Sequence, residues 1–471
     1  MNSIKGTLES ICKKDKGSII SGPFGSNISS KFFVEKGIPV IRGNNLNLSQ
    51  IKFNDNGFVF ITEEKANELN CDAIKNDLIF TAAGTIGQVG IIPENSKYKR
   101  YVISNKQLRA RLDNNKVDYL FAYFWFSSPW IQKKLQDCNK GSTVPLLTLS
   151  EVKQLPIIYP GDLNLQRRIS KILDIITTKI EVNKKINEKL ESIVKIVYDY
   201  WFLQFEFPNK EGKPYKSSGG KMVYNELLKK EIPEDWEVKC LGDILTKQNR
   251  SFEYNKNVKT LDVSVMPSNS FSLNDLNESS NFDTNLFTMK KYDLLFGSIR
   301  PYLKKAGIAP CNGAVAGTVH CYTVNKESDY NFALITLCSN NMFNYAINNS
   351  KGTKMPIVAS DDLLKFLIPY NKRIVESFNK INIKEIISNN IMQNQELTKL
   401  RDFLLPLLMN GQVTIQDAEQ QVNNTISNIW NAEKLIRFAQ WKQMQGYAAR
   451  GEVDEETLMK IFDAMDKDAK K

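Results

Sequence analysis

Histidine is almost missing from this chain: His320 is its single imidazole. Mechanisms that need a histidine pair, or a metal held by mixed His and Cys ligands, are therefore disfavoured. The seven cysteines (12, 71, 138, 240, 311, 321 and 338) are odd in number and scattered, and none forms Cys-x-x-Cys. That usage fits a reducing cytoplasm and argues against structural zinc. No run of 18 apolar residues occurs, so no membrane-spanning helix is expected. The opening stretch, 1–16, is polar and mixed in charge, unlike a secretory signal. A nucleotide-binding Gly-x-x-x-x-Gly-Lys-Ser/Thr loop is also lacking. Gly219-Gly220-Lys221 is followed by Met222 and has no upstream glycine at the required place. Asp454, Glu455 and Glu456 lack the glycine and spacing of a calcium loop and read as a helix start.

What is present is positive charge. Sixty-three Lys and Arg against 52 Asp and Glu give a net charge of +11, which points to a polyanion partner, with nucleic acid the default. The alternative is a basic protein with no such role. A length of 471 residues predicts two to four domains, and 42% hydrophobic residues suffice for true cores. The stretch 162–201 reads as one long charged helix. Ile186, Leu190, Ile193, Val197 and Tyr200 make a seam in steps of four and three, continued upstream by Ile169, Ile172, Ile176 and Ile180. About 40 residues make a rod of roughly 60 Å, which cannot bury its seam alone. A second helical stretch, 372–409, is the natural partner. A dimerising coiled coil or a long core helix would give the same seam.

A weak long-period repeat divides the chain. Lys140-Gly141-Ser142-Thr143-Val144-Pro145 returns as Lys351-Gly352-Thr353-Lys354-Met355-Pro356, 211 positions later. Asp77-Leu78-Ile79-Phe80 returns as Asp293-Leu294-Leu295-Phe296, and 150–156 returns loosely as 360–369. Each half then ends in a helical stretch. Strands are expected at Ile38–Ile41, Leu78–Thr81, Gln88–Ile92 and Tyr101–Ser104, with helices over Val117–Asp137 and Phe332–Asn348. The organisation expected is a globular domain over 1–160, a first long helix over 161–205, and a linker over 206–230 rich in Pro, Gly and Ser. A second domain over 231–370, a second long helix over 371–411 and a helical extension over 412–471 follow. The second seam (Ile383, Ile387, Asn390, Asn394, Leu397, Leu400, Leu404) carries Asn at core-facing positions, which sets register between helices at a cost in stability. Pro406 should bend or end that helix and Gly411 close it.

Several motifs together resemble the specificity (S) subunits of Type I restriction–modification systems. They are Ser21-Gly22-Pro23-Phe24-Gly25-Ser26, Ile38-Pro39-Val40-Ile41-Arg42-Gly43-Asn44-Asn45 and Ala83-Gly84-Thr85-Ile86-Gly87. Gly297-Ser298-Ile299-Arg300-Pro301-Tyr302-Leu303 is the second half's variant of that last turn, and 400–409 resembles the end of the second helix. The second half also opens with Pro233-Glu234-Asp235-Trp236 and then Leu241-Gly242-Asp243, whereas the first half has only Ile4–Ile11 there. The resemblance covers about 20–411. It implies an α+β fold with two target-recognition domains in pseudo-two-fold repeat, joined by two long antiparallel helices forming a coiled coil. It further implies recognition of a bipartite double-stranded DNA target, and two methyltransferase subunits as partners for adenine methylation. Restriction (translocase or nuclease) subunits are optional additions. S-adenosylmethionine would reside on the methyltransferase and no cofactor on this chain. An Asp/Asn-Pro-Pro-aromatic methyltransferase site is indeed lacking, so the chain would be non-catalytic.

Under that reading, DNA contacts come from Arg, Lys, Asn and Gln at base edges and from Lys and loop amides at phosphates. The candidates are Ser26, Asn27, Arg42, Asn44, Asn45, Thr85, Lys106, Gln107, Arg109, Lys140, Ser142 and Thr143 in the first half. In the second they are Arg300, Tyr302, Lys304, Lys305, Lys351, Thr353 and Lys354. Plainer readings stand beside them: Gly22, Pro23, Gly25, Gly84 and Gly87 as turn formers, Arg109 and Arg111 as a solvated strand face, and 140–143 as an ordinary loop. Rival functions are a free-standing coiled-coil scaffold or DNA-binding protein, or a metal-dependent nuclease built on Asp137 with Glu151 and Lys153, or Glu237 with Lys239.

Overall fold

The computed structural model describes residues 3–46, 52–137, 146–254, 257–282 and 285–426. They form two compact units, one of 3–181 with 397–426 and one of 182–396.

Unit one begins with β1 (Ser3–Thr7) and a short helix α1 (Leu8–Ile11), then β2 (Ile19–Ser21), β3 (Ile38–Ile41), β4 (Val59–Ile61), α2 (Glu63–Leu69) and β5 (Asp72–Ala73). Next come β6 (Leu78–Thr81), β7 (Val89–Ile91), β8 (Tyr101–Ile103), β9 (Gln107–Ala110), α3 (Tyr119–Phe126), α4 (Pro129–Asp137), α5 (Leu149–Lys153), β10 (Pro156–Pro160) and the long α6 (Leu163–Tyr198). Two four-stranded sheets have the orders β2-β9-β6-β7 and β4-β3-β8-β5, and β1 pairs with β10. In the second sheet β3 and β8 run parallel. Leu78–Thr81 is buried at every position, as expected of a short apolar run in the middle of a core. The helix anticipated over 117–137 is two, split at Ser127-Ser128, whose Ser128 hydroxyl bonds the Trp125 carbonyl at 2.5 Å. The first piece, YLFAYFWF, is apolar all round and accordingly buried. Asp118 caps it, accepting from Phe121 N–H at 2.9 Å and from the Ser170 hydroxyl on α6 at 2.8 Å.

Unit two repeats this plan. A hairpin of β11 (Met222–Asn225) and β12 (Lys230–Pro233) precedes β13 (Glu237–Cys240), β14 (Leu245–Gln248), β15 (Lys259–Leu261), β16 (Asn277–Glu278) and β17 (Leu286–Met289). Then follow β18 (Leu294–Gly297), β19 (Ala306–Ile308), β20 (Gly313–Ala316), β21 (Val319–Val324), α7 (Tyr330–Leu337), α8 (Asn340–Asn348), α9 (Ser360–Leu364), β22 (Leu367–Tyr370), α10 (Lys372–Phe378) and α11 (Ile383–Met409). Its sheets have the orders β14-β21-β18-β19 and β16-β15-β20-β17, and β13 pairs with β22. Strand for strand this is the order of unit one, including the parallel pair, here β15 with β20. The pairing of β1 with β10 also shows that Ser3–Thr7 fills the role of Glu237–Cys240, although no Pro-x-x-Trp precedes it. The stretch expected as a linker is partly core: Phe205 and Phe207 are buried, each with its ring 5.3 Å from Trp236.

The helices depart from the simple seam. Ile169, Ile172, Ile176 and Ile180 are buried as expected. Further along α6 the buried stripe is Asn183, Asn187, Glu191, Val194 and Tyr198, while Ile193 and Tyr200 stay exposed. The apolar heptad therefore marks the wrong stripe there. The polar residues bury because they have partners: Asn183 Nδ2 donates to Asn394 Oδ1 at 3.0 Å, and Asn390 Nδ2 to Asn187 Oδ1 at 2.7 Å. These pairs run 183 with 394 and 187 with 390, so the two helical segments are antiparallel within unit two. Glu191 accepts the Ser270 hydroxyl and the Phe271 and Ser272 amides at 2.8–3.2 Å.

The stretch 372–409 is two helices and not one. Buried Asn331 stabilises the break, donating to the freed carbonyls of Phe378 and Ile381 at 3.1 and 2.8 Å. Pro406 does not end α11, which runs on to Met409. Gly411 closes it with φ of +66°, as expected. Within unit one a further helix spans 415–426, with Ile415, Ala418 and Val422 buried.

Candidate nucleic-acid interface

In unit one the loops leaving β2, β6 and β8 meet. Gly22 lies so close to the turn after β8 that a Cβ there would stand 1.8 Å from the Ser104 carbonyl oxygen. Its N–H bonds the Gln107 carbonyl at 2.9 Å, and the Ala82 N–H bonds the Lys106 carbonyl at 2.7 Å. Only glycine fits the first approach. Gly84 and Gly87 take φ of +96° and +99°, the left-handed conformation that shapes the turn presenting Thr85.

From this cluster Ser26, Asn27, Thr85 and Lys106 are exposed. Asn44 is exposed on the neighbouring loop, its Nδ2 donating to Gly57 O at 3.2 Å. Arg42 is half-buried. Asn45, Gln107 and Arg109 lie inside the fold. The Asn45 amide is fully engaged, accepting from Arg42 N–H and donating to the Asn54 and Asn56 carbonyls at 2.9–3.0 Å. Gln107 takes the Ser104 hydroxyl. Arg109 donates to the Gly17 carbonyl at 2.5 Å, and burial pushes its pKa down. Arg109 and Arg111 are thus no solvated strand face. Arg111 clasps buried Asp77 with two bonds of 2.8 and 2.9 Å, and that hydrogen bonding raises its pKa. Lys140, Ser142 and Thr143 fall outside the described residues.

Unit two builds the matching cluster with different side chains. Ser298 N–H bonds the Thr318 carbonyl at 2.9 Å, where Ala82 bonds Lys106 in unit one. Arg300, with φ of +50°, sends its N–H to the Pro356 carbonyl at 2.7 Å, and Lys351 and Ile357 exchange two 2.9 Å backbone bonds. The turn 297–303 and the hairpin 351–357 are thereby one surface, with Arg300, Tyr302, Lys351, Thr353 and Lys354 exposed on it. Lys304 and Lys305 are half-buried and engaged, donating to Asn340 Oδ1 at 2.8 Å and to the Val263 carbonyl at 2.5 Å. Beneath the cluster Asp293 repeats the role of Asp77. Each accepts a backbone N–H from three residues before it, at 2.7 and 2.9 Å. Each also holds an arginine, but Asp293 takes Arg250, from beyond β14, where Asp77 takes Arg111, from beyond β9.

The carboxylates of the nuclease reading have other roles. Glu151 caps α5 through Thr148 at 2.8 Å, Lys153 pairs with Glu9 at 2.9 Å, and Glu237 pairs with Lys239 at 3.0 Å. No helix among the described residues is long and apolar enough to cross a membrane.

Residues 5–192 match the Type I restriction modification DNA specificity domain. The chain is 28% identical over 378 residues to the Type I restriction enzyme MjaIX specificity subunit of Methanocaldococcus jannaschii, covering 76% of this chain and 82% of that one. Residues 5–192 thus carry a Type I restriction modification DNA specificity domain, and most of the chain is similar to specificity subunits of Type I restriction enzymes. It is also 22% identical to the HindI specificity subunit of Haemophilus influenzae, over 69% of this chain and 85% of the relative. The crystal structure of the S subunit from M. genitalium shares the fold, with a TM-score of 0.51 at 14% identity, covering 86% of this chain and 96% of that one. The proteins this chain resembles are named as specificity subunits, and the matched domain is a DNA specificity domain.

Proposed function

We propose that this chain is a specificity subunit that reads a bipartite double-stranded DNA target, one half-site per unit, and positions two methyltransferase subunits for adenine methylation. S-adenosylmethionine is then bound by the methyltransferase, restriction subunits join as an optional third component, and the complex works in the cytoplasm. The observation that carries the reading is the duplicated loop cluster. Equivalent strand frames carry exposed Ser26, Asn27, Thr85 and Lys106 in one unit and Arg300, Tyr302, Lys351, Thr353 and Lys354 in the other, with Thr85 and Arg300 on corresponding turns. The same platform with unlike side chains is what two unlike half-sites require, because phosphate contacts orient and base-edge contacts specify. Buried Asn183–Asn394 and Asn187–Asn390 pairs support a helical spacer of fixed register.

The test is to express the chain with the methyltransferase encoded beside it and sequence the methylome. The expected result is a split motif with one modified adenine in each half. Methyl transfer by the purified chain alone with S-adenosylmethionine would end this reading, as would a continuous, unsplit motif.

A further inference from the structure

The two most exposed aromatic side chains among the described residues are Phe24, at 84%, and Tyr254, at 65%. They sit on corresponding segments of the two units, the loops leaving β2 and β14, the first strands of equivalent sheets. Neither is a floppy tip. Gly22 presses on the Ser104 carbonyl, and Asn27 N–H returns to the Phe24 carbonyl at 2.9 Å. In the second loop the Arg250 guanidinium is fixed on Asp293, and the Thr288 hydroxyl holds the Ser251 carbonyl at 2.7 Å. The Tyr254 hydroxyl oxygen accepts from Leu286 N–H at 3.0 Å, which pins the tip of the side chain while 65% of the residue stays exposed. Scattered apolar residues on a surface carry no message. Two rigidly held aromatics at equivalent loops of a duplicated fold, one of them among exposed Ser26, Asn27 and Lys106, do.

We infer that Phe24 and Tyr254 are apolar base-contacting residues, one for each half of the DNA target. An aromatic face lacks hydrogen-bond preference but packs against a thymine methyl or into an unstacked base step, complementing the polar readers beside it. Neither residue is among those argued above from charge or amide chemistry. The inference rests on the DNA-recognition reading, and the experiment separates the two.

The complete methylation complex carrying Phe24→Ala, Phe24→Leu, Tyr254→Ala or, as a control on the DNA reading, Lys106→Ala is assayed for binding to the cognate duplex and to a scrambled duplex. Thermal melting checks folding. Phe24→Ala should weaken cognate binding about 10-fold with scrambled binding and salt dependence unchanged. Phe24→Leu should retain most of the affinity. Base substitutions should then be tolerated in one half-site for Phe24→Ala and in the other for Tyr254→Ala. Uracil in place of thymine in the affected half distinguishes methyl contact from unstacking, which 2-aminopurine fluorescence reports. Wild-type affinity and specificity in both alanine variants, with Lys106→Ala impaired, would overturn the inference alone. No effect from any variant would overturn the DNA-recognition reading with it.

Discussion

Replacing Gly22 by alanine should misplace one reading loop and leave the other intact. The added Cβ would begin 1.8 Å from the Ser104 carbonyl oxygen. Carbon–oxygen contacts settle no closer than about 3.3 Å, so the loop has to retreat by about 1.5 Å. That displacement breaks the 2.9 Å bond from Gly22 N–H to the Gln107 carbonyl. Overpacking of this kind costs about 1–3 kcal/mol, and each kcal/mol lowers Tm by roughly 2–4 °C in a unit of this size. The functional loss should be larger than the stability loss suggests, because a recognition constellation tolerates displacements of only about 0.5 Å. Assayed in the complete complex by methylome sequencing, Gly22→Ala should relax or abolish recognition of one half-site and leave the other as it was. An unchanged Tm together with unchanged selection at both half-sites would refute the argument that this glycine exists for close approach.

Further outcomes are expected. Asp77→Ala strands buried Arg109 and the half-buried Arg111, and should destabilise unit one by about 3–5 kcal/mol in chemical denaturation. Arg300→Ala, at an exposed side chain, should alter only the half-site read by unit two, with Tm unchanged in the same melt. A seven-residue insertion in both α6 and α11, next to the Asn183–Asn394 pair, should lengthen the spacer tolerated between half-sites without changing either half, as read by methylome sequencing. His320 is half-buried with Nε2 2.9 Å from the Val358 carbonyl, and the desolvation lowers its pKa. The unfolded chain then binds the proton first. The stability that His320 contributes as a neutral ring is fully present above the unfolded value near 6.5 and falls as pH drops below it, by up to about 1.4 kcal/mol per unit. Denaturation midpoints at pH 7.5 and 5.5 should converge in His320→Gln once other titrations are subtracted as a common background.

Local apolar patterning located much of this fold. Ile38–Ile41 and Leu78–Thr81 are strands at the residues expected, since short apolar runs bounded by turn formers have few alternatives. The repeat, visible as a few short matches, is a full duplication of sheet order. Patterning failed where burial is polar. A seam chosen by hydrophobicity passes over Asn183, Asn187 and Glu191, which can bury only because partners far away in sequence satisfy them. The break before Ile383 is of the same kind, settled by Asn331 some fifty residues upstream. At the candidate interface, residue type named the chemistry but not the exposure. Asn44 and Asn45 are adjacent, yet one is exposed and the other holds its own loop together.

Unit one draws on 3–181 and again on 397–426, where Ile415, Ala418 and Val422 are buried and Glu419 lies 3.8 Å from Arg168. Among the described residues unit two is one uninterrupted span, 182–396. On a ribosome adding about 5–20 residues per second, the pieces of unit one emerge roughly 10–40 s apart. The half begun first therefore waits for 397–426 before its described residues are complete, and a nascent chain stalled before 397 would carry an unfinished first reader.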